Sequence, residues 1–376
     1  MTRIGDLELV YHFNDGPHVA IKGQPGPGRE FKVSCFNTSE YTLEHQSIIR
    51  PGQEVSGLKS YYVSWHIKVE HRAKVVFDYS LDLTGKRVVI AVASRALGDT
   101  LAWIPYVEAF QHEHKCKVIC ATHFVSLFEK AYPTIEFVPI TASVQNVFAM
   151  YRVACWPPFN RSMTKRPWYQ DSLQGIARGI LGLDHVSELR PRVILPPEYE
   201  RRRFKRVVCL GTMATSKFKE WNYPHGWDLL SKWLSSLGYT VINVSVESDP
   251  VAYALNVQDD EPLESIAAYI KHCDFFVGLS SGLSWLAWSF GVPVVMIAGA
   301  TKPMHEFSEA IRVGPGTAIC QGCFNEQMVD HANFEWCPHK KDFECTRSIT
   351  PGDVKQAIFD RILKQKISGP VLGHES

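Results

Sequence analysis

The chain of 376 residues carries 40 Lys and Arg against 39 Asp and Glu, a formal net charge of +1, and is 45% hydrophobic. That length accommodates two or three domains, the apolar content excludes a disordered chain, and the balanced charge excludes a global field that steers towards nucleic acid or acidic membranes. No apolar run is long enough to span a bilayer, and Met1–Val10 lacks an apolar core after Arg3, so neither a membrane span nor a secretory leader is expected. Ten cysteines without an export signal fit a reducing cytoplasm.

Residues 1–84 read as an all-β domain, a small barrel or sandwich. In Tyr61–Glu70, Val63, Trp65, Ile67 and Val69 alternate with Ser64, His66, Lys68 and Glu70. Turn clusters at Asn14-Asp15-Gly16, Pro25-Gly26-Pro27-Gly28 and Arg50-Pro51-Gly52 separate the other short strands. Nothing in this segment names a ligand.

At Arg87–Ala93 the pattern changes to a continuous apolar run, the signature of a buried parallel strand. A helix near Thr100–His114 and strands at Lys117–Ala121 and Glu136–Ile140 make residues 85–200 a Rossmann-like half. Its first loop, Ser94-Arg95-Ala96-Leu97-Gly98-Asp99, ends in a carboxylate. Asp99 is either the cap or first residue of the helix, or a general base projecting from a strand end into an interdomain cleft. Residues 161–206 hold eleven Lys or Arg against five Asp or Glu, including Arg201-Arg202-Arg203. They read as a solvated linker with basic flanks or as an anion-binding segment.

The pattern restarts over 201–312, a second Rossmann-like half. The strand Arg206–Leu210 leads into Gly211-Thr212-Met213-Ala214-Thr215-Ser216-Lys217-Phe218-Lys219-Glu220-Trp221. Hydroxyls, amides and a lysine directly after a strand suit a phosphate, and Lys217 and Lys219 compete for that role. A third loop, Gly278-Leu279-Ser280-Ser281-Gly282, enters a helix, where small residues with free amides suit a pyrophosphate and Ser280 alternatively serves as a plain cap. Two successive α/β halves, each with a loop at the carboxyl end of its first strand, imply a ligand in the cleft between them.

Residues 313–350 contain Cys320, Cys323, Cys337 and Cys345, spaced C-x2-C-x13-C-x7-C, which predicts a four-thiolate metal finger. The donor set suits zinc or a mononuclear iron, and on sequence chemistry alone favours zinc. Four thiolates leave no open coordination position, so the ion is expected to be structural. Residues 351–376 form a final helix, Gly352–Ile367, and a tail. No DxD-type site is present in the α/β halves, so no Mg²⁺ is expected in the chemistry.

The three loops resemble those of the ADP-heptose glycosyltransferases of the lipopolysaccharide core. Asp99 matches the catalytic aspartate of an SSxGD loop, and Lys219-Glu220-Trp221 a phosphate-contacting K-x-W. Ser280-Ser281-Gly282-Leu283-Ser284-Trp285 matches a nucleotide-holding D-T-G-L-S-H turn, with Ser for Asp and Trp for His. The β domain in front and the cysteine segment behind are similar to additions in the bacterial autotransporter heptosyltransferases. That resemblance implies a GT-B fold with two facing Rossmann-like halves, and ADP-heptose as donor held by Thr215, Ser216, Lys217, Lys219, Ser280, Ser281 and Gly282. It implies Asp99 as base for inverting transfer to serines of an autotransporter adhesin passenger domain. It also implies one Fe(III) per chain on the four cysteines, with zinc as the alternative, and a large ring-shaped homo-oligomer, a dodecamer. Rival readings are a lipopolysaccharide-type or small-acceptor sugar transferase, and a non-catalytic assembly or chaperone protein that keeps the nucleotide-sugar fold.

Overall fold

The computed structural model describes residues 2–155, 162–200, 205–246, 248–329 and 335–364. The chain divides into two compact units. The first is Met1–Arg95, Trp103–Trp168 and Gln174–Leu189, and the second is Ala96–Ala102, Tyr169–Leu173 and Arg190–Ser376.

Strands come first: β1 (Thr2–Ile4), β2 (Leu7–Asn14), β3 (His18–Lys22), β4 (Phe31–Asn37), β5 (Thr42–Ile49), β6 (Glu54–Ser56), β7 (Trp65–His71) and β8 (Lys74–Ser80). Then follow β9 (Arg87–Val92), α1 (Leu97–His114), β10 (Lys117–Thr122), α2 (Val125–Phe128), β11 (Glu136–Pro139), β12 (Ala149–Val153) and α3 (Leu173–Leu181). In β9 the apolar run buries both faces: Val88, Ile90 and Val92 are fully covered and Val89 nearly so. The first sheet runs β11-β10-β9-β12-β2-β3-β6, with β1 on β2. Its first four strands are parallel, and β2 joins β12 in parallel with Phe13 opposite Ala149. The strands of residues 1–84 therefore do not close a barrel of their own. Half of them extend the α/β sheet, and β5-β4-β7-β8 form a separate antiparallel sheet. In that sheet Val33, Cys35, Trp65, Ile67 and Val69 are buried, while Lys32 pairs with Glu70 at 2.9 Å on the other face.

The stretch read as a basic linker holds α3, whose Ile176, Ala177, Ile180 and Leu181 are buried at helical spacing. The buried Gln174 ties it down, accepting from Tyr106 Oη at 2.6 Å and donating to the Leu189 carbonyl at 2.6 Å. Arg201, Arg202 and Arg203 lie outside the described residues. Arg206 lies over the Tyr239 ring at 4.7 Å.

The second unit contains β13 (Val207–Gly211), α4 (Gly226–Ser236), β14 (Thr240–Asn243), β15 (Leu255–Asn256), α5 (Leu263–Lys271), β16 (Phe275–Leu279), α6 (Gly282–Ser289), β17 (Val294–Ile297), β18 (Ile311–Val313), α7 (Glu344–Arg347) and α8 (Pro351–Ile358). Its sheet order is β15-β14-β13-β16-β17-β18 and every pairing is parallel. Numbered within the unit, that is the 3-2-1-4-5-6 order of a doubly wound dinucleotide fold, whose ligand crevice lies beyond the carboxyl ends of the strands where the order reverses. Here that place is between β13 and β16. Thr350 and Asp353 form a reciprocal capping box at α8, which continues as a wider turn over Phe359–Leu363. Val354, Ile358 and Ile362 pack with Leu230 and Leu234 into the core under the sheet. The last residues expected in that helix, 365–367, lie outside the described residues. Among those described, no helix is long and apolar enough to cross a membrane.

Candidate active site

At the switch point Gly211 ends β13 opposite Gly278 of β16. A Cβ on either would lie within 2.5 Å of the Phe276 ring, so both must be glycine for the strand ends to close over that ring. The loop after β13 then leaves the sheet under tight control. Ser245 Oγ accepts the Thr212 amide at 2.7 Å and the Met213 amide at 3.3 Å. Thr212 Oγ1 donates to Asn243 Oδ1 at 3.2 Å. Those first two loop amides are thus occupied by the protein itself.

Farther along, Lys217–Lys219 form a single 3-10 turn. Phe218 and Trp221 are buried and act as its anchors, with Trp221 Nε1 donating to the Ile349 carbonyl at 2.8 Å. Between those anchors the two lysines diverge. Lys217 is exposed and pairs with Glu220 at 3.4 Å. Burial raises the Glu220 carboxyl above its ordinary range, and Lys217 draws it part of the way back. Lys219 is half-buried and its Nζ lies 3.8 Å from the centroid of the Phe324 ring. Thr215 is exposed, whereas Ser216 is buried.

The loop after β16 corrects the expected cap. The capping position of α6 is Ser281, with extended backbone and no side-chain capping bond; Ser280, one residue earlier, is buried. The hydroxyl of Ser281 is buried and has no hydrogen-bond partner among the described residues. An orphaned buried hydroxyl at a helix start is a costly feature unless a ligand satisfies it. Beside it, the Gly282 and Leu283 amides open α6 ahead of the first intrahelical bond, while the Ser284 amide already donates to the Ser281 carbonyl at 3.2 Å. Trp285, which stands where the resemblance has histidine, is a core residue against Trp288 and Phe307 at 5.5 and 5.2 Å.

Asp99 is the third residue of α1 and not its cap; the Ala96 carbonyl receives the Thr100 amide at 3.2 Å. Its half-buried carboxylate sits in the first helical turn, where the helix dipole favours negative charge. That turn meets α6 through two glycines. A Cβ on Gly282 would lie 2.9 Å from the Gly98 nitrogen and 3.0 Å from Leu97 Cβ. Backbone-to-backbone contact at this point sets the Asp99 turn beside Ser281. Gly282→Ala is therefore expected to cost about 1–3 kcal/mol in urea unfolding and to slow catalysis by up to about 10²-fold, because it displaces one turn against the other.

After β17 the chain is held by a buried ion pair that sequence reasoning missed. Arg312 Nη1 donates to both Glu306 oxygens at 2.5 Å, and Nη2 to the Ala298 and Thr301 carbonyls at 2.9 and 2.5 Å. Thr301 Oγ1 donates to Glu306 Oε1 at 2.6 Å. Arg312→Met leaves Glu306 charged and buried, so we expect a loss of about 3–5 kcal/mol by chemical denaturation. Adding Glu306→Leu should recover most of that loss. The adjacent His305 is buried, and burial together with nearby Lys219 pushes its pKa down to about 3, so the ring is neutral.

No disulfide joins the four clustered cysteines. Burial, with a smaller push from the neighbouring cysteines, raises the Cys323 thiol to about 12 and the Cys345 thiol to about 11. A set of thiols that resist joint ionisation is one that a thiophilic cation would neutralise, so the donor chemistry fits iron or zinc. In the described residues the side chains are not drawn into a ligating set: no group of three or more His, Cys, Asp or Glu is arranged to hold a metal ion. The segment is stitched to the loop after β17, with Gly322 N donating to Gly299 O at 2.9 Å and Phe324 N to Ala300 O at 3.0 Å.

Residues 198–312 match Glycosyltransferase family 9 (heptosyltransferase). Over 379 residues the chain is 32% identical to the autotransporter heptosyltransferase BAHTCr of Citrobacter rodentium, covering 95% of this chain and 90% of that protein. It is 29% identical to the inactive autotransporter heptosyltransferase BimC of Burkholderia thailandensis, covering 95% and 86%. The crystal structure of the iron-containing dodecameric glycosyltransferase TibC from enterotoxigenic E. coli H10407 is similar at a TM-score of 0.86 and 29% identity, over 98% of each chain. TibC in complex with ADP-D-β-D-heptose also gives 0.86, over 97% of this chain and 98% of that one.

Proposed function

The chain belongs to the autotransporter heptosyltransferases, and from that premise we propose that it moves heptose from ADP-heptose onto serine hydroxyls of an autotransporter adhesin passenger domain. The serine oxygen attacks the anomeric carbon, the bond from that carbon to the ADP oxygen breaks, and the configuration inverts. Asp99 takes the serine proton as the new bond forms. One positioned base contributes about 10²–10⁴-fold to such a step. The departing ADP gathers negative charge, which Lys219, the Thr215 and Ser281 hydroxyls and the first-turn amides at Gly282 and Leu283 are suited to stabilise. Ser216, Ser280 and Lys217 stay among the proposed donor contacts; the two serines are buried and Lys217 pairs with Glu220.

The observation that carries this reading is the orphaned Ser281 hydroxyl beside the Gly98–Gly282 contact. It joins an acid, a helix start and an unsatisfied polar group in one unit, at the switch point of a nucleotide-type sheet. Cys320, Cys323, Cys337 and Cys345 would hold one ferric ion, as the iron content of TibC suggests. Such an ion supplies rigidity and no step of the transfer. A twelve-subunit ring is proposed on the same likeness.

A second reading has one specific support, the inactive relative. In it the fold is kept for assembly or display of the adhesin without transfer. ADP release measured with ADP-heptose and a purified passenger fragment separates the two. The transferase reading expects ADP to accumulate only when the fragment is present; release that ignores the fragment, or none at all, removes it.

A further inference from the structure

Lys219 rests on a residue of the cysteine segment and not of its own loop. Its Nζ lies 3.8 Å from the centroid of Phe324, the middle residue of the turn Cys323–Asn325. That ring is held from several sides. The Phe324 amide donates to Ala300 O at 3.0 Å. Asn325 accepts the Lys302 amide at 2.9 Å and donates to the Tyr169 carbonyl at 3.1 Å. The neutral His305 ring packs edge-on against Phe324 at 5.0 Å, so it adds no second cation beside the lysine. At the other end of the segment, Thr346, next to Cys345, accepts from Asn222 Nδ2 at 2.9 Å. The same amide nitrogen donates to the Lys217 and Glu220 carbonyls at 3.2 and 2.9 Å, closing the turn that carries Lys219.

We propose that the four-cysteine segment is the positioning wall of the donor site, with Phe324 holding the Lys219 ammonium in place for the donor phosphates. The inference rests on the reading of Lys219 as a phosphate contact. A lysine has a flexible four-carbon stem and a compact point charge, so a free lysine must be ordered each time it meets a phosphate. A ring face fixed beneath the ammonium orders it before the ligand arrives. Phe324 is thus a positioning residue that acts through Lys219. The clustered cysteines and the donor loop, separated by about a hundred residues in sequence, form one physical unit.

The test is a double-mutant cycle on the full chain, read by calorimetric titration with ADP and not by turnover. Phe324→Leu is expected to weaken ADP binding by about threefold to tenfold, the span of a partly desolvated cation–π contact. Phe324→Tyr keeps the ring face and is expected to stay within about twofold of wild type. In a Lys219→Met background, Phe324→Leu is expected to add no further loss. Full additivity of the two losses overturns the proposal, because Phe324 would then act on the fold alone. If Lys219→Met by itself binds ADP as tightly as wild type, the assignment of Lys219 fails first and the positioning role falls with it. Metal content and melting temperature of each variant, measured alongside, must match wild type for a loss to count in favour.

Discussion

Asp99→Asn is expected to lower transfer from ADP-heptose by about 10²–10⁴-fold while leaving ADP affinity within about twofold of wild type. The amide has the shape of the carboxylate but cannot take the serine proton. Its structural cost through the helix dipole is small, because a carboxylate in the first turn contributes only about 0.3–1 kcal/mol that way. The Ala96 carbonyl already receives the Thr100 amide, so the turn does not depend on Asp99 as a cap. A large loss of rate with an unchanged melting temperature and unchanged ADP titration therefore identifies the group as a base. Equal losses in rate and in ADP binding would instead make Asp99 a structural residue of the α1 turn.

The second large effect is at the cysteines. Replacing Cys345 by Ser is expected to abolish stoichiometric metal and to cost more than about 4 kcal/mol, because metal binding to a structural site is part of the folding free energy. The consequence extends beyond the segment. Gly299 packs directly on Cys345, where a Cβ would lie 3.1 Å from the cysteine Cβ, and Thr346 holds Asn222 of the lysine turn. Loosening the segment therefore loosens Phe324 and the Lys219 turn together. Plasma mass spectrometry of the purified variant, with a thermal melt, checks this. Metal retained at one ion per chain in Cys320→Ser, Cys323→Ser, Cys337→Ser and Cys345→Ser alike would refute the four-cysteine assignment.

Much of the fold was legible because it is written locally. The apolar run Arg87–Ala93 reads as a strand buried on both faces, and Val88, Ile90 and Val92 are buried. A helix is expected near Thr100–His114, and α1 spans Leu97–His114. The K-x-W pattern could be read because its tryptophan is an anchor for a short turn. What escaped depends on partners far along the chain. Residues 1–84 alternate like a self-contained β unit, and nothing local reveals that Phe13 pairs with Ala149. The helix α3 is disguised by Gly175 and Gly179 and by the basic residues around it. Between Lys217 and Lys219 composition offers no choice. A 3-10 turn separates them, sending one to Glu220 and the other to Phe324. Phe324 itself had one available signal, an aromatic residue directly after the C-x2-C pair, without meaning until the Lys219 loop is set beside it. For Ser280 and Ser281 the cap shifts by one residue, within the uncertainty of any helix end.

The most direct measurement is the intact mass of a passenger fragment after incubation with ADP-heptose and the full chain, with fragmentation to locate the modified residues. Wild-type protein is expected to give a ladder of single-heptose additions on serines, and Asp99→Asn none. A fragment whose mass does not change with wild-type protein, although the chain binds both ADP-heptose and the fragment, would contradict heptose transfer.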